Sequence, residues 1–324
     1  MLALYWRLLR YRVAVMILLF MLLGSAWHGG LTTIDAPLLL MALALASSYV
    51  SATSVNDISD REIDEINHPG DRGRPLVTGA ARTGDLWMLF AISSTLAVAL
   101  PLAVGPVAAG IMLSSVVVGV LYSLPPARLS YRTFLAPLTL AVAYVGIPYW
   151  VGVVVTEESL GRLDLPLLTA LYLLFAGRII LKDFRDREGD AAYGKPTFLL
   201  KYGKRATCLA SLGAVCTGDA FLVAALADRL WLACLLQVYV AGVVIMLRRL
   251  YRSDNRKDEQ LSIGVGARMG NGLLTTLLGC LVLANQQAAW TTQTVFGLAL
   301  TALYLLTFTA FLRNPERANI GYKG

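Results

Sequence analysis

Long apolar runs constrain this chain more than any other feature of its sequence. An α-helix needs about 20 mainly apolar residues to cross a bilayer. Stretches long enough to do so cover residues 13–29, 35–55, 85–104, 107–123, 133–155, 166–182, 206–227, 230–248, 269–287 and 291–312. Polar residues at 285–287 interrupt the pattern near its end, so the number of spans is nine or ten. The predicted fold class is all-α, a polytopic transmembrane helix bundle.

The composition excludes the main classes of soluble protein. Of the 324 residues, 57% are hydrophobic and 15% are charged, which is far too apolar for a soluble domain of this length. A net charge of +7 would favour nucleic acid as a partner of a soluble protein. Here the basic residues lie in short loops between apolar runs, where they set topology. The expected partner is the lipid bilayer and not nucleic acid.

The cysteines give no sign of a metal site or a disulfide framework. All of them fall inside apolar runs and none has paired metal spacing. They are Cys208, Cys216, Cys234 and Cys280.

The distribution of basic residues predicts the orientation of the bundle. Arginine and lysine concentrate on one side, at 7–12, 61–82, 128–132, 182–205, 248–268 and 313–323. The other side keeps only Arg162 and Arg229. Basic loops face the cytoplasm, so an even number of spans with both termini cytoplasmic fits, and we expect a plasma-membrane protein. The basic N-terminal flank is similar to that of a signal peptide, but no A-x-A cleavage site follows, which favours a retained first span.

An acidic pattern occurs twice, each time at the end of an apolar run. D-x-x-D-R-E-x-D covers residues 57–64 and 183–190, and the copies are 126 residues apart. The aspartates are spaced by three and then four, which stacks their carboxylates on one face of a continued helix. A bound cation offsets this repulsion, and magnesium is typically held by one or two carboxylates together with phosphate oxygens. A single acidic run usually faces water, but the repeat favours two magnesium ions around one diphosphate.

Four motifs in order then make the chain resemble the UbiA-type intramembrane prenyltransferases. The first is N-D-x-x-D-x-x-x-D at 56–64, and the last is D-x-x-D-x-x-G-D followed by G-x-x-T at 183–197. Between them lie RPLVTG (74–79) and LYSLPPARL (121–129). The resemblance covers roughly residues 13–250. It implies one transmembrane prenyltransferase domain over 1–324, with a central cavity capped by cytoplasmic loops and an additional C-terminal span at 291–312. Where the family usually has a lysine this chain has Ser130, so Arg128 and Arg132 are expected to supply that charge.

The resemblance also implies a reaction and a set of residues. The expected reaction is magnesium-dependent transfer of a prenyl group from a polyprenyl diphosphate to an acceptor, through ionisation to an allylic cation. The implied metal ligands are Asn56, Asp60, Asp64, Asp186 and Asp190, and the expected catalytic residues are Asp57, Asp183 and Tyr122. The candidate substrate-binding cations are Arg72, Arg74, Arg128, Arg178, Lys182 and Lys195. Arg178 lies inside an apolar run, too deep for a simple interfacial anchor.

Aromatic residues, a glycine-containing loop and the two histidines are the remaining features for which the sequence suggests a role or none. An allylic cation favours a dry site lined by π faces, for which the candidates are Tyr122, Tyr144, Tyr149, Trp150 and Tyr172. The glycines of the 70–75 segment predict a loop able to fold over the head group. His28 is expected to be structural, and His68 receives no role.

Two other functions remain open at this point. A UbiA-type terpene cyclase would let the cation attack a double bond of its own chain, without a separate acceptor. A transporter would use the aspartates as an ion path, but that predicts acidic residues spread near the middle of the membrane. The acceptor is left open as an aromatic or another lipid precursor, because the motifs are similar to branches with different acceptors.

Overall fold

The computed structural model describes residues 1–315, and every regular element in that part of the chain is helical. The helices of the first part of the chain are α1 (Leu2–Leu8), α2 (Tyr11–Trp27), α3 (Ala36–Ser59), α4 (Arg61–Asn67), α5 (Thr83–Ala99), α6 (Pro106–Ser123) and α7 (Leu135–Ala141). The remainder are α8 (Ile147–Val155), α9 (Asp164–Ile179), α10 (Asp183–Ala192), α11 (Phe198–Ala225), α12 (Leu230–Arg252), α13 (Arg256–Asn285) and α14 (Trp290–Arg313). This confirms the predicted all-α class.

Short irregular turns join some of these helices into single spans. A 3-10 turn at Leu100–Ala103 extends α5, and another at Ile180–Lys182 leads from α9 into α10. A π-helical turn at Val142–Gly146 connects α7 to α8. Within the described residues, nine such units are long and apolar enough to cross a membrane, or ten if α1 and α2 count as one span bent by 71°.

The count of nine or ten spans therefore stands, but the ambiguous span lies at the opposite end of the chain from the one the sequence suggests. The C-terminal span expected at 291–312 is α14, which qualifies by length and composition. The tenth depends on α2, which has 17 residues after the bend at Arg10. The final basic segment used for the topology prediction, 313–323, extends outside the described residues.

The long polar stretches at 57–84, 183–205 and 249–267 are expected to be loops, and for 249–267 that expectation is wrong from Arg256 onward. Helix α13 begins at Arg256, and the Asn255 side chain caps it by accepting a hydrogen bond of 3.0 Å from the Lys257 amide. Asp258 and Glu259 in the first turn suit the positive end of the helix dipole. Glu259 is buried and lies 2.8 Å from Lys204 Nζ, so charged residues here pair inside the protein.

The other two polar stretches also contain helices. The 57–84 stretch includes the last turn of α3 and all of α4, and the 183–205 stretch includes α10 and the start of α11. These are the segments that carry the acidic repeats, so both copies lie on regular structure.

Helix α2 is part of the protein core. A Cβ added to Gly152 of α8 would lie 1.9 Å from the Met21 carbonyl oxygen of α2, so the two backbones touch. At the far end of α2, His28 Nε2 lies 2.8 Å from Asp164 Oδ1, which also accepts a hydrogen bond from the Tyr149 hydroxyl. His28 therefore joins α2 to α9, in the structural role expected of it.

Candidate active site

Both acidic repeats open into one cavity of about 630 Å³. Its wall includes Asp60 and Asp64 from the first repeat and Asp186 and Asp190 from the second. The sides of the cavity are built by α2, α3, α6, α9 and α13, which contribute both apolar and polar side chains. Segments 126 residues apart in sequence thus face one shared cavity.

The first repeat does not lie on a continuous helix. Helix α3 ends at Ser59, and Asp60 has φ −107° and ψ 16°, outside the helical region, before α4 begins. Asn56 Nδ2 donates a hydrogen bond of 3.2 Å to Asp60 Oδ2 across this break. The break turns Asp60 and Asp64 toward the cavity while Asp57 points into the wall.

The second repeat follows the predicted geometry, since α10 runs unbroken from Asp183 to Asp190. The helix packs tightly against α4 of the first repeat. A Cβ added to Gly189 would lie 2.6 Å from the Ile63 carbonyl oxygen, and the Gly189 amide donates a hydrogen bond of 2.7 Å to Asn67 Oδ1. Ile63 and Gly189 occupy the same position in the two repeats, so the copies contact each other at equivalent points.

Two arginines neutralise Asp57. Arg10 Nη2 donates to both of its carboxylate oxygens, at 2.7 and 2.9 Å, and Arg74 Nη1 donates to Oδ1. Arg74 Nη1 also lies 2.7 Å from Asp64 Oδ2. Asp57 is only 1% exposed, so its charge serves to hold the 68–82 segment and the start of α2 against α3.

Lys195 links the two clusters. Its Nζ lies 3.0 Å from Asp60 Oδ2 and 3.7 Å from Asp190 Oδ1. On the same side, His68 Nε2 lies 3.2 Å from Asp186 Oδ1, so the segment after α4 also reaches the second repeat.

Some carboxylate oxygens of the two clusters are available to coordinate a metal ion. Among the described residues, Asp60 Oδ1 and Asp190 Oδ2 are buried without a hydrogen-bond partner. Burial raises the pKa of the Asp64 carboxyl to about 7, and the Arg74 guanidinium opposes that rise. Within residues 1–315 no three acidic, histidine or cysteine side chains converge into a complete metal cage. This arrangement fits magnesium, which retains waters and takes few protein ligands.

The predicted site residues divide into two groups by position. Those that line the cavity are Asn56, Asp60, Asp64, Arg74, Tyr122, Arg178, Lys182, Asp186, Asp190 and Lys195. Four others lie apart from the lining. Asp57 and Asp183 are buried behind it, with Asp183 Oδ1 3.5 Å from Lys182 Nζ. Arg72 is exposed, and Arg128 stacks on the Tyr131 ring at 3.8 Å with Nη2 3.4 Å from the Ser59 carbonyl oxygen.

The aromatic candidates divide in the same way. Tyr122 and Tyr144 line the cavity together with Tyr49 and Phe175, and the Tyr144 ring centroid is 5.7 Å from that of Phe175. The remaining three candidates have other surroundings. Tyr149 bonds to Asp164, the Tyr172 hydroxyl donates to the Leu138 carbonyl oxygen at 3.0 Å, and Trp150 is 38% exposed on the outside of the bundle.

Sequence reasoning missed several residues of the site. Arg10 appeared to be a topology residue, and His68 a loop residue without a role. Arg185, Arg268 and Asn271 also line the cavity. His68 follows Asp64 by one helical turn, which is a usable signal, whereas nothing in the sequence separates Arg10 from its neighbouring arginines.

Comparison with known proteins shows what this chain is similar to in sequence and fold. The model of the UbiA prenyltransferase family matches residues 14–272. The fold is similar to that of a UbiA homolog from Archaeoglobus fulgidus bound to GPP and Mg²⁺, with a TM-score of 0.67 over 92% of this chain and 99% of that one at 18% identity. An apo UbiA homolog from Aeropyrum pernix K1 gives a TM-score of 0.64 over 86% and 99% of the two chains at 19% identity. At these identities the structures establish a shared fold.

Sequence relatives are named for different products. A digeranylgeranylglyceryl phosphate synthase from Methanoregula boonei is 33% identical over 62% of this chain and 68% of that protein. The chloroplastic chlorophyll synthase of Oryza sativa subsp. japonica is 28% identical over 50% of this chain and 44% of its own length. The chain spans about half the length of the chlorophyll synthases it matches, between 43% and 61%.

Proposed function

Because this chain belongs to the UbiA prenyltransferase family, we propose that it transfers a prenyl group from a polyprenyl diphosphate to an acceptor inside the membrane. The observation that carries the proposal is the single cavity shared by both acidic repeats, which is lined by their carboxylates and by aromatic side chains. A polar head and an apolar chain are the two parts of a prenyl diphosphate, and this cavity offers a suitable surface to each.

Magnesium is the cofactor that the donor set favours, and two ions are proposed. Asn56, Asp60 and Asp64 would hold one ion, and Asp186 and Asp190 the other. When bound, magnesium would neutralise the negative charge that develops on the diphosphate as the allylic carbon–oxygen bond breaks. Asp57 and Asp183, first expected to be catalytic, are better suited to positioning: Asp57 fixes Arg74, and Asp183 lies beside Lys182.

Cationic side chains of the protein stabilise the leaving group. Heterolysis of the carbon–oxygen bond leaves the electron pair on diphosphate oxygen and a cation on the prenyl carbon. Arg74, Lys182 and Lys195 line the carboxylate end of the cavity and donate charge-assisted hydrogen bonds to phosphate oxygens there. Arg72 and Arg128 have no place in the cavity wall and are left out of this proposal.

The prenyl cation is stabilised by aromatic faces. The Tyr122, Tyr144 and Phe175 rings line the same cavity as the aspartates, and π faces attract cations without bonding to them. The acceptor's nucleophilic atom then bonds to the prenyl carbon, and the acceptor loses a proton. The same wall limits the access of water, which would otherwise capture the cation.

The location follows from the charge pattern. The protein is an integral membrane protein, and we propose that the carboxylate end of the cavity faces the cytoplasm of a plasma membrane, because basic residues collect at that end. The partners are a prenyl diphosphate donor, an acceptor of undefined skeleton and the bilayer.

Product analysis tests the proposal and separates it from cyclisation. Purified protein with Mg²⁺ and labelled geranylgeranyl diphosphate, incubated with an acceptor panel, should yield a prenylated acceptor visible by mass analysis. A cyclic hydrocarbon formed in the absence of any acceptor would instead identify a terpene cyclase. Uptake of donor or ions into vesicles without any covalent product would favour a transporter.

A further inference from the structure

Helix α1 is a short element with apolar side chains on both of its faces. On the inner face Leu8 is fully buried, and Tyr5 packs against the same core with its hydroxyl 3.4 Å from Ser47 Oγ. On the outer face Leu2 is 73% exposed and Trp6 is 63% exposed. Exposed apolar surface of this kind marks a site that contacts a membrane or a protein. The outer face of α1 is therefore not built to face water.

The angle between α1 and α2 sets the direction of α1 relative to the bilayer. The two helices are bent by 71° at the break that contains Arg10. Helix α2 lies among the spans, and its 17 residues rise about 25 Å, most of the bilayer core of about 30 Å. Membrane-spanning helices tilt by about 20° on average. A helix bent by 71° from α2 thus runs roughly along the membrane surface, at the depth where α2 begins.

The charge of this segment matches an anionic membrane surface. Residues 1–12 contain three arginines and no acidic residue. Arg7 is exposed on α1 beside Trp6. Arginine next to tryptophan and leucine on one helix is typical of helices that lie in the membrane interface, and tryptophan collects at headgroup level. Lipid phosphate groups are the anions at that depth, and each basic residue near an anionic leaflet strengthens the attraction.

The end of α1 is tied to the first aspartate cluster. Arg10 has φ 40° and ψ 65°, a left-handed conformation that residues other than glycine seldom adopt. Its Nη2 donates to both carboxylate oxygens of Asp57 and lies 3.4 Å from the Gly73 carbonyl oxygen. Leu9 alone separates Arg10 from α1. A shift of α1 would therefore pass directly to a residue that neutralises Asp57.

We propose that α1 lies in the headgroup region of the leaflet at the carboxylate end of the cavity and binds anionic lipid there. Arg7 contacts lipid phosphate, and Leu2 and Trp6 insert among the acyl chains. In this position α1 fixes the bend at Arg10 and supports the contact of Arg10 with Asp57. Lipid is the occupant of this face because the face is apolar, lies where α2 begins and carries positive charge. This contact lies outside the cavity and does not depend on the proposed prenyl transfer.

Fluorescence quenching tests the location of α1. In a background with the native cysteines replaced by serine, exposed Ala3→Cys is labelled with the dye NBD and the protein is placed in nanodiscs. We expect quenching by phosphatidylcholine that carries a nitroxide on an acyl chain, because the dye lies among the lipids. The same dye on Asp254→Cys, in the exposed α12–α13 turn, should be quenched by a water-soluble nitroxide instead. This control also shows that the cysteine-free background folds.

The same dye measures the preference for anionic lipid. Quenching by nitroxide-labelled phosphatidylglycerol is compared with quenching by nitroxide-labelled phosphatidylcholine at equal mole fraction. We expect phosphatidylglycerol to be enriched around α1 by roughly fivefold, the factor that one basic residue near the surface provides. Arg7→Gln should lower this enrichment several-fold. Arg205→Gln, which removes an exposed arginine of α11, should leave it unchanged.

A double-mutant cycle tests the support of Arg10 by α1. Trp6→Ser and Arg10→Gln should each lower the unfolding temperature in nanodiscs that contain phosphatidylglycerol. The double variant should lose less than the sum of the two, because both changes release the same contact. Trp87→Ser, which replaces another exposed tryptophan near the start of a helix, should add to Arg10→Gln without coupling.

Several results would overturn the inference. These are a dye at Ala3→Cys that behaves like the control in the α12–α13 turn, a dye shielded from both lipid and water because a second protein covers it, or equal amounts of the two lipids around α1. Additive losses for Trp6→Ser and Arg10→Gln would show that α1 does not support the contact with Asp57. None of these measurements uses a prenyl diphosphate, so they stand apart from the test of the proposed function.

Discussion

Arg74 joins the two ends of the first aspartate cluster. It contacts both Asp57 and Asp64, while Arg10 holds Asp57 from the other side. Asp57 is almost fully buried, so its negative charge depends on these two guanidinium groups. Arg74 therefore has a structural role in addition to the proposed contact with diphosphate.

Replacing Arg74 tests this structural role. Arg74→Gln should lower the free energy of unfolding by about 2 kcal/mol, because a buried carboxylate loses one of two charged partners. Asp57→Asn should also lower the free energy of unfolding, since it leaves Arg10 and Arg74 close together without the negative charge that they share. The double variant should be more stable than the sum of the two losses predicts. Thermal unfolding in detergent measures all three, with exposed Arg72→Gln as the control. Strictly additive losses would show that Arg74 and Asp57 act independently.

The residues that sequence could predict are those repeated at fixed spacing. Asp60, Asp64, Asp186 and Asp190 were identifiable because two matched copies rarely arise from solvation alone, and all four line the cavity. Arg10 was not, because it is a single residue whose position depends on the bend between α1 and α2, whereas the position of His68 one helical turn after Asp64 was a usable signal. Asp57 fits the repeat pattern equally well, yet the break at Asp60 turns it into the wall.

At the level of elements, the contact between α4 and α10 sets the distance between the clusters. Gly189 is the point of closest approach, with the Ile63 carbonyl and the Asn67 side chain directly opposite. A side chain at this position would separate the two helices. The positions of both sets of carboxylates thus depend on one small residue.

Gly189→Ala should therefore reduce turnover more than a typical alanine substitution. The new Cβ would lie 2.6 Å from the Ile63 oxygen, so α10 must shift. We expect a loss of stability of about 1–3 kcal/mol and a fall in turnover of roughly tenfold or more, the size of effect that small displacements of catalytic groups produce. Gly213→Ala in α11 is a matched control, because nothing lies within 4 Å of its added Cβ. Equal activity of the two variants would mean that the α4–α10 distance is unimportant.

Helix prediction succeeded where hydropathy alone decides the structure and failed where charge is buried. The apolar runs correspond to spans because a continuous apolar surface can only face lipid or core. The first turns of α13 were predicted as loop because residues 256–268 are rich in charge. Several of those charges form ion pairs, as Glu259 does with Lys204, and pairing of this kind is a property of the tertiary structure.

For the whole molecule, the charge pattern predicts which end of the bundle faces the cytoplasm. The aspartate end of the cavity collects Arg10, Arg74, Lys182 and Lys195, and the pair of His28 and Asp164 lies at the opposite end of α2. Orientation remains a prediction from the positive-inside rule. It assigns the α12–α13 turn to the cytoplasm and the α8–α9 turn to the outside.

Cysteine labelling tests this orientation. In a background with the native cysteines replaced by serine, Glu158→Cys in the α8–α9 turn and Asp254→Cys in the α12–α13 turn both introduce an exposed thiol. A membrane-impermeant maleimide should label the Glu158→Cys protein in intact cells and the Asp254→Cys protein only after lysis. The reverse pattern would place the aspartate clusters outside the cell.

The sequence alone also predicted that the two halves of the chain share one site, because one diphosphate with two metals needs both repeats. What it could not predict is the contribution of α13 to the cavity wall, since Arg268 and Asn271 belong to no repeated motif. The aspartate end of the cavity was therefore predictable in outline, and the α13 residues were not.

The central claim is that magnesium and both aspartate clusters together bind one diphosphate. The most direct measurement is the affinity of geranylgeranyl thiodiphosphate with and without Mg²⁺, for the wild type, Asp60→Asn and Asp190→Asn, with exposed Asp254→Asn as the control. We predict that wild-type binding requires Mg²⁺ and that each cluster variant weakens it by roughly tenfold or more, while the control matches the wild type. Binding that is independent of Mg²⁺, or unchanged by the loss of either cluster, would contradict the account.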